Sequence, residues 1–188
     1  MPRAGLDRDR VVIAAAQIAD AEGLDAVTLA RVATELGVRS PSLYNHVEGR
    51  DGLVRGVALL GLAQLRDALR EAAIGRAGAD ALAAAAGAYR AYVLAHPGRY
   101  AAGAITPAAP EDADLVAAAT AVVDVLAAVL RGWSLDEEDT VHALRAFRSA
   151  VHGFASLEAA GGFGLPIDLD ASFGRLIAML TAGLGAPG

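Results

Sequence analysis

Side chains able to do chemistry are concentrated in one short stretch of the chain. Residues 37 to 47, GVRSPSLYNHV, gather Arg39, Ser40, Ser42, Tyr44, Asn45 and His46, whereas most of the sequence is alanine, leucine and valine at helical spacing. Arginine, serine, asparagine and histidine can hydrogen-bond base edges in a major groove, and a tyrosine hydroxyl can reach a phosphate oxygen. Leu43 and Val47 lie four apart, so both can pin a helical segment to a core while the polar side chains stay on the turn or face outward.

Catalytic or metal chemistry finds little elsewhere. Glu138 and His142, at i and i+4, are the one pair that could begin a metal site, and Asp136, Glu137 and Asp139 beside them read instead as a solvated acidic face. His142 and His152 are ten positions apart, which sets them nearly a right angle apart around a helix. No metal site, catalytic residue or cofactor is expected. The chain has no cysteine, hence no thiolate or disulfide chemistry. It also lacks a G-x-S-x-G elbow, a strand-linked glycine fingerprint and a P-loop.

The elements around the polar stretch follow from punctuation and periodicity. Asp7 is placed to cap a helix over about 8–22, with Gly23 ending it. Thr28 is placed to cap a second helix, whose Leu29, Val32, Ala33 and Leu36 fall on one face before Gly37 stops it. Ser40 followed by Pro41 signals a short third helix over about 41–47. Two short helices separated by a glycine turn have the dimensions of a helix-turn-helix. Gly49 then breaks the chain, and further helices are expected over about 50–73, 80–95, 99–104, 111–132, 135–160 and 171–184. Ser134 and Glu137 form a candidate capping box for the penultimate one. The stretch TPAAPED at 106–112 is rich in breakers, and GGFGLPIDLD at 161–170 reads as a loop. No segment alternates with period two, so the fold class is all-α, with about nine helices.

The chain has 188 residues, a net charge of −6 and 16 basic residues, all arginine. Acidity argues against promiscuous nucleic-acid binding, yet residues 39–55 hold three arginines against two carboxylates, so one site can be mildly positive. Charged residues interrupt every apolar run before it reaches the roughly 20 residues of a membrane span. The N-terminus lacks the apolar run of a secretion signal. These features predict a soluble, cytoplasmic chain that starts at Met1 and has no membrane partner.

At residues 7 to 54 the sequence resembles the TetR family of bacterial transcriptional regulators. The phrases GLDAVTL, ATELGV, SLYNHV and RDGLV carry the likeness in the family's order and spacing. The resemblance implies a helix-turn-helix DNA-binding domain over 1–48 and a larger helical ligand-binding and dimerisation domain over 49–188. It implies that Thr28, Tyr44 and Arg50 hold phosphates, while Arg39, Ser40, Ser42, Asn45 and His46 are the candidates for base contact. Arg50 and Val47 stand where family members often have lysine and phenylalanine. Residues 146 to 177 resemble the C-terminal domain of a subgroup named for a Trp-His-Gly motif, matched here by His152 and Gly153, with Phe147 or Val151 in the place of the tryptophan.

The implied partners are a double-stranded DNA operator, a second copy of the chain as homodimer, and a small-molecule inducer. The implied activity is repression relieved by that inducer. Tyr89, Tyr92, Tyr100, Trp133, Phe147, His152 and Phe154 are the large side chains in an alanine-rich setting, and so the candidates for a ligand pocket. An enzyme and a helical adaptor without DNA binding are the rival classes; the adaptor leaves the pattern at 37–50 without a purpose.

Overall fold

The computed structural model describes residues 6–105 and 111–185. Residues 106–110 of the breaker-rich stretch lie outside the described residues, as do the first five, on which the reading of the chain's start partly rests. Among the described residues the chain is helical, without strands. In order come α1 (Arg8–Glu22), a 3₁₀ turn (Leu24–Ala26), α2 (Leu29–Leu36), a 3₁₀ segment (Ser40–Asn45) and α3 (Gly49–Ala73). Then follow α4 (Gly78–Ala95), α5 (Pro97–Tyr100) running on into a π-turn (Ala101–Ile105), α6 (Ala113–Leu130), α7 (Glu137–Ala159) and α8 (Leu169–Gly183).

Two caps form as the sequence predicts. The Asp7 carboxylate accepts from the Arg10 N–H at 2.8 Å, and the Thr28 hydroxyl oxygen accepts from the Arg31 N–H at 3.1 Å. Gly37 ends α2 at φ +65°, a left-handed conformation that suits glycine. Two other starts differ. Ser40 makes no capping bond, and the segment that it opens is 3₁₀ rather than α, closed by the Ser42 N–H to the Arg39 carbonyl and the His46 N–H to the Leu43 carbonyl, both 2.9 Å. A segment this short between an extended Arg39 and the break at Gly49 suits the tighter i to i+3 winding. At α7 the cap is Asp136, whose carboxylate accepts from the Asp139 N–H at 2.8 Å, so the helix starts at Glu137 and Ser134 stays outside it.

The chain divides into two compact units, Met1–Gln64 with His96–Ala119, and Leu65–Ala95 with Thr120–Gly188. In the first, Val11, Ala15, Ile18, Val32, Leu43 and Val57 form one buried cluster with Val47 and Leu53. The Arg31 guanidinium ties the end of α1 to α2 through Glu22 at 2.7 Å and Glu35 at 2.8 Å. Helix α5 packs on the end of α1 at Gly98, where an added Cβ would stand 2.1 Å from the Ala19 carbonyl carbon and oxygen.

In the second unit α4 packs against α7 and α8. Arg90, on α4, makes a two-pronged ion pair with Glu158 of α7, both bonds 2.6 Å, and a third bond of 2.7 Å to Asp170 of α8. Its guanidinium carbon lies 5.4 Å from the Phe154 ring centroid and 4.9 Å from that of Phe173. By length and mean hydropathy (2.1) α6 reaches the range of a membrane-crossing helix, although Asp114 and Asp124 interrupt it. Its Val122, Leu126, Val129 and Leu130 are buried within the second unit.

Candidate nucleic-acid interface

The polar stretch becomes a presented surface because its two apolar side chains are fully committed. Leu43 is 0% and Val47 6% exposed, which fixes the 3₁₀ segment on the core of the first unit. Tyr44 is 63% exposed, and Arg39, Ser42 and Asn45 are exposed as well; Ser40 and His46 are half-buried. Among the described residues, the side chains of Arg39, Ser40, Ser42, Tyr44, Asn45 and His46 make no hydrogen bond or ion pair within the chain. Their donors and acceptors are therefore available to an outside partner.

Thr28 and Arg50 differ from that set. The Thr28 hydroxyl is used as the cap of α2, and its hydrogen remains to be donated. Arg50 reaches back from the start of α3 to the turn before α2, donating from Nε to the Val27 carbonyl at 3.1 Å and from Nη2 to the Leu24 carbonyl at 3.0 Å. Asp25 stands 3.7 Å from the same Nη2. Arg50 thus fixes the entry to α2, and of the five N–H groups of a guanidinium these two bonds leave the others for a second partner.

The second unit presents a contrasting set. Tyr89, Tyr92, Trp133 and Phe147 are buried in it, His152 and Phe154 are half-buried, and Tyr100 is buried in the first unit. Tyr89 meets Phe147 edge to face at 6.4 Å, the Trp133 indole N–H donates to the Gly185 carbonyl at 3.0 Å, and Ser156 Oγ lies 3.4 Å from His152 Nδ1. Phe154 packs on Phe163 at 4.8 Å and on Phe173 at 5.1 Å. Phe147 lines a cleft of about 510 Å³ with Leu82, Leu135, His142, Met179 and Leu184, and none of the other candidates is on its wall.

His142 and Glu138 meet at 3.7 Å on an exposed face, and among the described residues no group of three or more metal-ligating side chains comes together. Sequence reasoning did not single out Arg90. A single basic residue in an alanine-rich helix was the available signal; its carboxylate partners are 68 and 80 positions away.

Comparison with known proteins settles what kind of chain presents this surface. Residues 12–57 match the family described as bacterial regulatory proteins, tetR family, and residues 82–180 match the tetracyclin repressor-like C-terminal domain. The chain belongs to the TetR family. It is 39% identical over 181 residues to the HTH-type transcriptional regulator Rv0681 of Mycobacterium tuberculosis, covering 96% of this chain and 83% of that one. Its fold is similar to that of a Rhodococcus sp. RHA1 protein of unknown function, with a TM-score of 0.81 at 24% identity, covering 97% and 98% of the two chains. A TetR variant from Acinetobacter baumannii AYE, solved in complex with minocycline, matches at a TM-score of 0.68 and 24% identity over 95% of this chain and 96% of that one. The TetR assignment makes the helix-turn-helix and the helical C-terminal part features of a regulator of transcription.

Proposed function

We propose that the chain is a cytoplasmic, one-component repressor that binds a double-stranded operator as a homodimer and is released by a small molecule. Residues 1–48 read DNA, and residues 49–188 bind the inducer and dimerise. Tyr44, Thr28 and the remaining donors of Arg50 hold phosphates; Arg39, Ser40, Ser42, Asn45 and His46 contact base edges. The observation that carries this reading is the set of polar side chains without internal partners on a segment pinned by Leu43 and Val47. A merely solvated polar face is the alternative for a segment of this size, and membership of the TetR family favours DNA.

Dimerisation is assigned to the outer faces of α7 and α8, where Val141 and Met179 are exposed. Two recognition segments then meet half-sites about 34–36 Å apart, or a multiple of that turn. The C-terminal part is assigned to the Trp-His-Gly subgroup on His152 and Gly153, with the buried Val151 or Phe147 in the tryptophan's place. The inducer acts by preferring the dimer state with misplaced recognition segments, and a preference of about 1.4 kcal/mol changes the operator affinity tenfold. Phe147, Tyr89, Tyr92, Trp133, His152, Phe154 and Tyr100 remain the residues proposed to respond to it; no catalytic step and no cofactor is needed.

The test is a titration of the purified protein against duplexes upstream of its own gene, and against duplexes selected from a random-sequence pool, with competitor DNA present. A saturable complex in wild type that Asn45→Ala and Tyr44→Ala weaken without unfolding supports the reading. No complex with any duplex overturns it in favour of a helical adaptor.

A further inference from the structure

A cleft of about 490 Å³ opens beside the recognition segment, walled by Arg8, Tyr44, Asn45, His46, Glu48 and Arg55. Its two arginines are not equivalent. Arg55 donates to Asp112 at 2.6 and 2.7 Å and to Asp114 at 2.7 Å, so two carboxylates balance its charge. Arg8 is exposed, and among the described residues its guanidinium makes no hydrogen bond or ion pair. The neighbouring Asp7 carboxylate is used in capping α1. Arg8 is therefore the arginine of this cleft that keeps its hydrogen-bond donors for an outside partner, and Glu48, which also lines the cleft, carries the opposite charge.

A free guanidinium and a phenolic hydroxyl lining one cleft match a phosphodiester: the guanidinium fork gives charge-assisted bonds to its oxygens, and the hydroxyl adds a neutral one. We propose that Arg8 and Tyr44 together seat a backbone phosphate of the DNA half-site, so that α1 as well as the helix-turn-helix grips the duplex. The inference rests on the reading of residues 40–45 as the DNA-facing segment. It also answers an electrostatic problem, because a chain of net charge −6 must place unbalanced arginines where the polyanion arrives.

The experiment uses the full chain and a duplex that the wild type selects from a random-sequence pool. Binding of wild type, Arg8→Gln, Arg8→Lys and Tyr44→Phe is measured across a salt series. Removing one neutralised phosphate makes the slope of log affinity against log salt shallower by about 0.9, so the gap between wild type and Arg8→Gln closes about 3.5-fold from about 50 to 200 mM salt. Arg8→Lys restores the slope. Tyr44→Phe weakens binding with the slope unchanged, since no charge is removed. In a scan with single neutral methylphosphonates, one backbone position weakens wild type clearly more than it weakens Arg8→Gln, where only the neutral Tyr44 bond to that phosphate remains.

Parallel salt lines for wild type and Arg8→Gln, with no methylphosphonate position whose effect is smaller in the variant, overturn the phosphate seat while leaving the DNA-binding reading intact. A wild type that selects no duplex overturns both. Arg8 lies on the surface, and thermal unfolding of the variants confirms that each has folded.

Discussion

The recognition segment and the interior of the C-terminal unit use polar chemistry in opposite ways. At Ser40–Asn45 the backbone is fixed by two buried apolar anchors and the polar side chains are left unspent. At Arg90 the guanidinium is 13% exposed and bonded to carboxylates on two other helices, with two rings around it. Polar atoms that satisfy one another hold a fold together; polar atoms held out on a rigid support are free to read a partner. Substitutions in the two places should therefore fail differently, one through stability and the other through DNA affinity.

The largest effect is expected from Arg90→Met. The Glu158 carboxylate is only 16% exposed, so removing its partner costs about 3 kcal/mol of stability, the penalty of leaving one member of a buried ion pair without the other. The Glu158 carboxylate is the main cause that holds the Arg90 guanidinium above its ordinary pKa, ahead of Asp170. Urea unfolding checks it: a midpoint matching wild type would show that this ion pair is no more than a surface contact. Asn45→Ala is the counterpart. Its stability should stay within about 0.5 kcal/mol of wild type, while removing the hydrogen bonds to one base from a half-site costs about 1–3 kcal/mol of binding. Unfolding by Asn45→Ala with unchanged DNA affinity would reverse the comparison.

The difference between the regions also explains what the sequence could show. Spacing and punctuation are local, and they located α1, α2, the polar segment and the long helices to within a few residues. The caps at Asp7 and Thr28 were legible because a lone acceptor precedes each helix. Ser40 and Ser134 carried the same signal without acting on it: the first is itself the opening residue of the 3₁₀ segment, with Arg39 in the capping place, and the second has the stronger acceptor Asp136 two positions later. The Arg90 cluster was not legible because its members are joined only by packing. For the same reason the sequence could group aromatic residues by type but could not show that Tyr100 belongs to a different unit from Tyr89 and Phe147.

Thr28 stands between the two modes, since one hydroxyl caps α2 and keeps a hydrogen to donate to an outside partner. Thr28→Ala should cost about 1 kcal/mol of stability through the missing cap. Thr28→Ser keeps the oxygen and should restore both the unfolding midpoint and DNA binding. A serine variant that recovers stability but not affinity would assign the interaction with DNA to the threonine methyl instead, and would separate the two roles.

Arg55 gives the smallest effect and the finest test of the comparison. It lines the cleft beside the recognition segment, yet it is spent inward on Asp112 and Asp114. Its hydrogen bonds hold the Asp112 carboxyl below the ordinary aspartate range, outweighing the opposing effect of burial. A depressed folded-state pKa contributes stability that is present above the unfolded value of about 3.9 and is lost as pH falls through the lower folded value. The stability gap between wild type and Asp112→Asn should therefore be level near neutral pH and shrink in the acid range, below about pH 4. High salt should weaken it only in part, because Arg55 is a third exposed while Asp112 is 18% exposed. A gap that persists unchanged into acid would mean that Asp112 acts through its backbone-capping bond to Leu115 rather than through Arg55. Arg55 would then count with the unspent side chains of the recognition face.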